Sequence, residues 1–372
     1  MNLLSFLKSY SMRIKLRLMR YISLALLYLY SIILISKKKD ILKHQENLIL
    51  VCRFDFYGKN KDFQSSDYFY IDNYFEETGL NFTTFFWDNP ERNFVDIPFL
   101  SGVLKQKPSQ IVMMGYNPRS IYCPHLLTLK LAKKFLDTKI FSIWGDTGNK
   151  QFIKENIDIF YSGVFDKHIC IDNPTLDLEL GLVDHDEKKK FIPKMFTPES
   201  EKIYFPSECK DIEVAFLGQI SSYRDYRGDY IDYASDKLQE YKTYFSTKDR
   251  VNQINHSDYA NIINRSKIGL NFSRSVNIDQ LKGRVLHTML SGALLLETKN
   301  TQTDLLFEDG KEYVSFTSKE EMIDKIKFYL RNDKMREEIA KNGREKVLHN
   351  YSRKAFWDKV LKDSNSINLE NA

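Results

Sequence analysis

Cysteine and histidine are scarce here, at four and seven residues among 372. Cys52, Cys123, Cys170 and Cys209 stand far apart, with no C-x-x-C and no histidine at ligand spacing. That excludes a zinc site read from spacing and a disulfide frame, and it predicts buried free thiols in a reducing compartment. The histidines form no H-E-x-x-H or similar cluster. There is no internal repeat. The apolar run from Tyr21 to Ser36 has sixteen residues, short of the roughly 20 that a helix needs to span a bilayer core. No small-residue cleavage site follows it, which argues against a signal peptide. A basic surface is lacking too. The net charge is +5, but residues 1–44 hold nine Lys or Arg against one Asp, a net +8, and the remaining 46 cations against 49 acids leave a body of −3. A slightly acidic body argues against a general nucleic-acid binder.

What is present is apolar content for large cores, 42% of residues, in a chain long enough for two or three domains. Residues 1–20 mix Leu3, Leu4, Phe6, Leu7 and Ile14 with cations, as an interfacial helix does. With Tyr21 to Ser36 they form either a monotopic anchor on an anionic membrane face or an apolar helix packed on its own domain. Cations flank both ends of the run, so charge gives no orientation.

From Asn47 onward, short apolar runs alternate with amphipathic stretches. Strands are expected at Leu48–Cys52, Asn81–Trp87, Gln110–Met114, Lys139–Trp144 and His168–Ile171, with helices at Asp67–Thr78 and His125–Leu136. Such alternation implies a parallel, doubly wound sheet with ligands at the carboxyl ends of the strands. Trp144 to Asn149, WGDTGN, stands at one such end: Asp146 between two glycines is either a ligand-facing acid or a plain Asx-turn. Residues 192–210 hold three of the nine prolines and read as a linker. A second series follows, with strands at Glu213–Leu217, Tyr244–Ser246, Ile268–Phe272, Ala293–Leu296 and Glu312–Phe316. Helices are expected at Tyr230–Tyr241, at Tyr259–Arg265 behind Ser257 or Asp258 as N-cap, and at Val285–Leu290 closed by Gly292. Lys282, Gly283 and Arg284 then sit where a strand passes into a helix, and free N–H groups and the helix dipole favour an anion there. The competing reading is a pair of solvated surface charges.

Those residues also carry a resemblance. Ser266 to Asn271, Arg284 to Leu296 with Gly292, and Leu306 to Glu312 resemble, in order and spacing, the C-terminal core of the CgeB-like, spore-maturation branch of the GT-B glycosyltransferases; with the helices through Ser352 the likeness covers about a hundred residues. It implies α/β architecture of the GT-B type: two Rossmann-like, doubly wound domains facing a cleft, here with an N-terminal apolar and basic helical extension. The implied division is a membrane-associating segment 1–44, an acceptor-side domain 45–195, a nucleotide-sugar-binding domain 211–350, a helix 351–365 crossing back to the first domain, and a disordered tail 366–372.

For the site, the resemblance implies that Gly218 and Arg224, in F-x-G-x-x-x-x-x-R, reach the donor diphosphate, with Arg227 as a weaker second. Lys282, the Gly283 amide and Arg284 would do the same, and His256 and Tyr259 would lie near the nucleobase. Asp146 matches a W-x-x-D of the family and becomes the acceptor-side candidate. The wider retaining group has two glutamates eight residues apart, and here those positions are Asp279, expected near the sugar, and His287, expected to face the ribose or diphosphate. Both chemical types differ, which leaves retention or inversion open. The implied activity is metal-independent transfer from a nucleotide-sugar donor, with no tightly bound cofactor, to a glycan or lipid-linked acceptor at the cytoplasmic membrane face. The two replaced acids also fit a non-catalytic, membrane-tethered nucleotide-sugar binder, and similar phosphate contacts would serve a polyol-phosphate transferase.

Overall fold

A computed structural model describes residues 18–29, 45–53, 68–87, 95–117, 123–145, 147, 150–171, 181, 190–192, 195–218, 220, 225–246, 254–272 and 279–362. They fall into two compact units, the chain passing from the first to the second for good at residue 193, and each holds one parallel sheet.

The first unit opens with helix α1 (residues 18–29) and strand β1 (Gln45–Arg53). A π-turn at Tyr68–Asp72 leads into α2 (Asn73–Thr78), closed by Gly79 in the left-handed region. Then come β2 (Phe82–Phe86), α3 (Asp96–Gln106), β3 (Pro108–Met114), α4 (Leu126–Leu136), β4 (Lys139–Trp144), α5 (Lys150–Phe160), β5 (Lys167–Cys170) and β6 (Phe191–Ile192). The sheet order is β2-β1-β3-β4-β5-β6. Its central strands are continuous apolar runs because helices cover both faces. Val51 lies between Thr84 on one neighbour and Val112 on the other, and is fully buried. His168 is buried as well: its ring stacks on Phe191 at 4.9 Å, and burial, then Lys190, pull its pKa down to about 3.

Helix α1 is docked by one face only. Leu24 is buried, and buried Arg20 reaches across to Asp96, Nε to Oδ2 at 3.0 Å. Asp96 also accepts from the His125 amide and the Thr128 hydroxyl, each at 2.6 Å. Leu18, Tyr21, Ile22, Leu26 and Leu29 stay exposed. Among the described residues no helix is long and apolar enough to cross a membrane.

The second unit runs β7 (Ile212–Phe216), α6 (Asp225–Lys237), β8 (Thr243–Phe245), α7 (His256–Asn264), β9 (Ser266–Asn271), α8 (Gly283–Leu290), β10 (Leu294–Thr298), α9 (Thr301–Asp304), β11 (Val314–Phe316), α10 (Lys319–Arg331), α11 (Asp333–Asn350) and α12 (Arg353–Leu361). The sheet order is β11-β10-β9-β7-β8, all parallel. Its core joins Val214, Phe216, Leu270, Leu296 and Phe316 to Ile231, Ile326 and Ile339 from the helices. Gly269 lets α8 lie close on β9: a Cβ there would meet Thr288 at 2.6 Å.

Several expectations shift. Helix α6 starts at Asp225, five residues earlier than the apolar spacing suggested, and α7 is capped by Asn255, whose side chain accepts from the Asp258 amide. Cys209 is exposed, while the other three thiols are buried. The proline-rich stretch read as a linker is built into the second unit from Met195: Phe196 packs edge-on against Tyr351 and Phe356, and Glu199 and Tyr204 are buried.

Candidate functional site

At the carboxyl ends of β7, β9 and β10, three loops bring a glycine, an arginine and a buried carboxylate together. Gly218 follows β7, its amide donating to Ser246 Oγ at 2.9 Å. A side chain has no room there: a Cβ would stand 2.6 Å from the Phe216 ring and 3.2 Å from a terminal nitrogen of Arg284. Arg284, in the first turn of α8, lies over the Phe216 ring and donates from Nε to Asn271 Oδ1 at 3.0 Å. Asn271 ends β9 and donates from Nδ2 to Glu297 Oε1 at 2.6 Å. Glu297 has no solvent exposure and also accepts from Asn300 Nδ2 at 3.0 Å and Thr303 Oγ1 at 2.8 Å. Burial, partly offset by these donors, pushes its pKa up to about 7. The guanidinium is thus fixed by a chain of buried hydrogen bonds, and Gly218 beside it has no room for a side chain. A fixed planar cation of this kind suits a phosphate group.

The second cluster surrounds His287. Its Nδ1 is 2.9 Å from the Tyr259 hydroxyl, its Nε2 is 2.8 Å from Glu199 Oε2, and its ring stacks on Tyr204 at 4.2 Å. The Tyr204 hydroxyl meets His256 Nε2 at 3.1 Å. Burial, then the charge of His287, lowers the His256 pKa, and burial raises that of Tyr259. Both nitrogens of His287 therefore face protein groups; Tyr259 contacts it directly, and His256 is joined to it through Tyr204.

Glu199 escaped the sequence reading because it lies in the stretch taken for a linker, 88 residues before its partner. It is 3% exposed, and its Oε1 has no hydrogen-bond partner among the described residues. That oxygen lies 3.0 Å from where a Cβ on Gly283 would sit, beside the start of α8. A carboxylate thus stands next to the position where the resembling group has a glutamate, delivered by another segment. Asn271 and Glu297 were missed for the same reason: nothing local marks them.

Other expected residues have different settings. Asp279 Oδ2 accepts from the Thr301 amide at 2.9 Å and its hydroxyl at 2.6 Å, holding the start of α9. Lys282 is the N-cap residue of α8, and its ammonium donates to Gln280 Oε1. Arg227 is fully buried and donates to the Phe272 carbonyl at 3.1 Å, so it serves the core rather than a ligand. Asp146 and Arg224 lie outside the described residues.

Residues 206–362 match the family described as glycosyl transferase-like. No curated protein matches the chain. Among solved structures, Alr3699/HepE of Anabaena, in complex with UDP and glucose, aligns over 87% of this chain and 100% of its own, with 10% identity and a TM-score of 0.54. Sucrose-phosphate synthase of Thermosynechococcus elongatus aligns over 84% and 96%, with 10% identity and a TM-score of 0.56. An alpha-glucosyltransferase in complex with UDP-glucose and DNA containing an abasic site aligns over 87% and 100%, also at 10% and 0.56. At such identity the likeness is one of fold. The chain has the two-domain GT-B fold, and residues 206–362 of its second half match the glycosyl transferase-like family model.

Proposed function

We propose that the protein transfers a sugar from a UDP-sugar to a glycan or lipid-linked acceptor at the cytoplasmic face of a membrane. The observation that carries the donor half is Arg284, held by Asn271 and Glu297 beside a loop where Gly218 can bear no side chain. Leaving-group departure puts negative charge on a diphosphate, and a fixed guanidinium with a helix amino end offsets it without a metal. UDP is chosen because Alr3699/HepE and the alpha-glucosyltransferase were solved with UDP or UDP-glucose. The membrane half is supported by the exposed apolar face of α1 within a segment of net charge +8.

Isothermal titration with UDP and UDP-glucose tests the donor reading. Binding should weaken by about 1.5–3 kcal/mol in Arg284→Ala, the usual worth of a hydrogen bond to a charged group. Unchanged affinity removes Arg284 from the phosphate role.

A second reading rests on the acid positions. Asp279 holds α9 and His287 is enclosed by Tyr259, Glu199 and Tyr204. A binder that keeps the shell without transfer would look like this. Release of UDP from any UDP-sugar above the rate without enzyme would eliminate it.

A further inference from the structure

The amino ends of the second sheet carry a separate feature. Lys210 stands just before β7, and Lys267 is the second residue of β9. Helix α11 lies over them with Arg336, Lys341 and Arg344, and the half-open cavity between them holds about 450 Å³. Volumes of about 300–1,000 Å³ are those of small-molecule sites. Arg284, Gly218 and Glu297 sit at the other ends of these strands, so this cavity is not the candidate donor site.

Its charge is only partly compensated. Five cations line it against two acids, Asp333 and Glu337, and Arg336 binds both of those. Lys210 points its ammonium at three neutral acceptors, the carbonyls of Asn264, Ser266 and Ser291, at 3.2, 2.9 and 2.8 Å. Arg344 likewise donates to a carbonyl, that of Leu290, at 3.0 Å. Among the described residues no carboxylate pairs with either. Lys267 and Lys341 are each 3.8 Å from a glutamate, at the limit of pairing. Carbonyl oxygens solvate an ammonium but do not cancel its charge, and in a partly buried setting that excess is costly. Burial and the charge of Arg336 pull the Lys210 pKa down to about 8. A field of this sign, focused in a concave site, draws a counter-anion, and a multivalent one most strongly.

We propose that this cavity binds a small multivalent phosphate anion between the amino ends of the strands and helix α11. Lys210, its three N–H groups already donated, supplies charge; Lys267, Lys341 and the remaining N–H groups of Arg344 supply hydrogen bonds. The proposal stands apart from the donor reading.

Lysine labelling read by mass spectrometry locates the ligand, because only a free amine reacts with acetic anhydride. An anion that raises the Lys210 pKa by about one unit cuts its labelling near pH 7 about tenfold. Inorganic pyrophosphate is the probe, with sodium chloride of equal ionic strength as the reference. Lys282 reports the candidate donor site in the same digest, and Arg284→Ala should leave the Lys210 protection intact. The double variant Lys267→Gln and Lys341→Gln, in side chains outside the core, should abolish it. A second arm replaces pyrophosphate with phosphatidic acid vesicles, whose phosphomonoester headgroup is multivalent: protection by vesicles alone assigns the phosphate to a lipid headgroup, and protection by pyrophosphate assigns it to a soluble ligand. No protection in either arm, or the same protection from sodium chloride, overturns the proposal.

Discussion

A single buried acid governs much of the candidate site. Burial raises the Glu297 pKa to about 7, whereas an unfolded glutamate titrates near 4.3. The folded state therefore holds this proton longer than the unfolded one. Between these two values the folded state binds more protons, so stability falls as pH rises through the window and the loss is complete above it. The loss amounts to up to about 4 kcal/mol. Urea unfolding at about pH 5 and about pH 8 should show it, and Glu297→Gln should flatten that component. An equal slope in the variant assigns the titration elsewhere. Gly218 gives the second prediction at this scale. In Gly218→Ala the new methyl meets the Phe216 ring at 2.6 Å, and that ring is fully buried and cannot swing into water. Overpacking of this kind costs about 1–3 kcal/mol, and it presses on the Arg284 guanidinium too. The variant should lose UDP affinity together with stability; a loss of stability alone would separate the loop from the site.

Among the elements, legibility tracks how local the signal is. Strands β1, β3, β4, β9 and β10 are continuous apolar runs, and the glycine after α8 adopts the left-handed turn that its position suggested. Lys282 and Arg284 are equally local, since both sit at the start of α8, whereas Gly218 was reached through the family resemblance. Glu199 and Glu297 are not: a glutamate in a proline-rich stretch, or at the end of a strand, has no mark until the fold sets His287 or Asn271 against it. Arg20 shows the same limit from the other side. In sequence it is one of nine cations in the first 44 residues, yet it is buried against Asp96, 76 residues on. This pair clasps α1 to the first unit. Removing one partner of a buried pair costs about 3–5 kcal/mol, and Asp96 would keep only the His125 and Thr128 donors. Arg20→Met should therefore free the helix, and limited proteolysis should cut within residues 18–29 faster than in wild type. Equal cutting would mean that Leu24 alone holds it.

For the molecule as a whole, the proposed contact with an anionic surface rests on charge gathered at one end. The body carries −3, whereas residues 1–44 carry +8. The exposed row Leu18, Tyr21, Ile22, Leu26 and Leu29 adds apolar area that salt does not screen. The two contributions separate by ionic strength, because the screening length drops from about 10 Å at 0.1 M salt to about 3 Å at 1 M. Co-sedimentation with phosphatidylglycerol vesicles should weaken over that range without vanishing, since inserted side chains remain at roughly 1.5–3 kcal/mol each when fully buried. The double variant Ile22→Ser and Leu26→Ser changes exposed positions, so the fold is spared while part of the apolar contribution goes. It should bind at low salt and be released more fully than wild type at high salt. Equal binding to neutral phosphatidylcholine vesicles would remove the electrostatic half of this account, and a variant retained like wild type at 1 M salt would remove the apolar half.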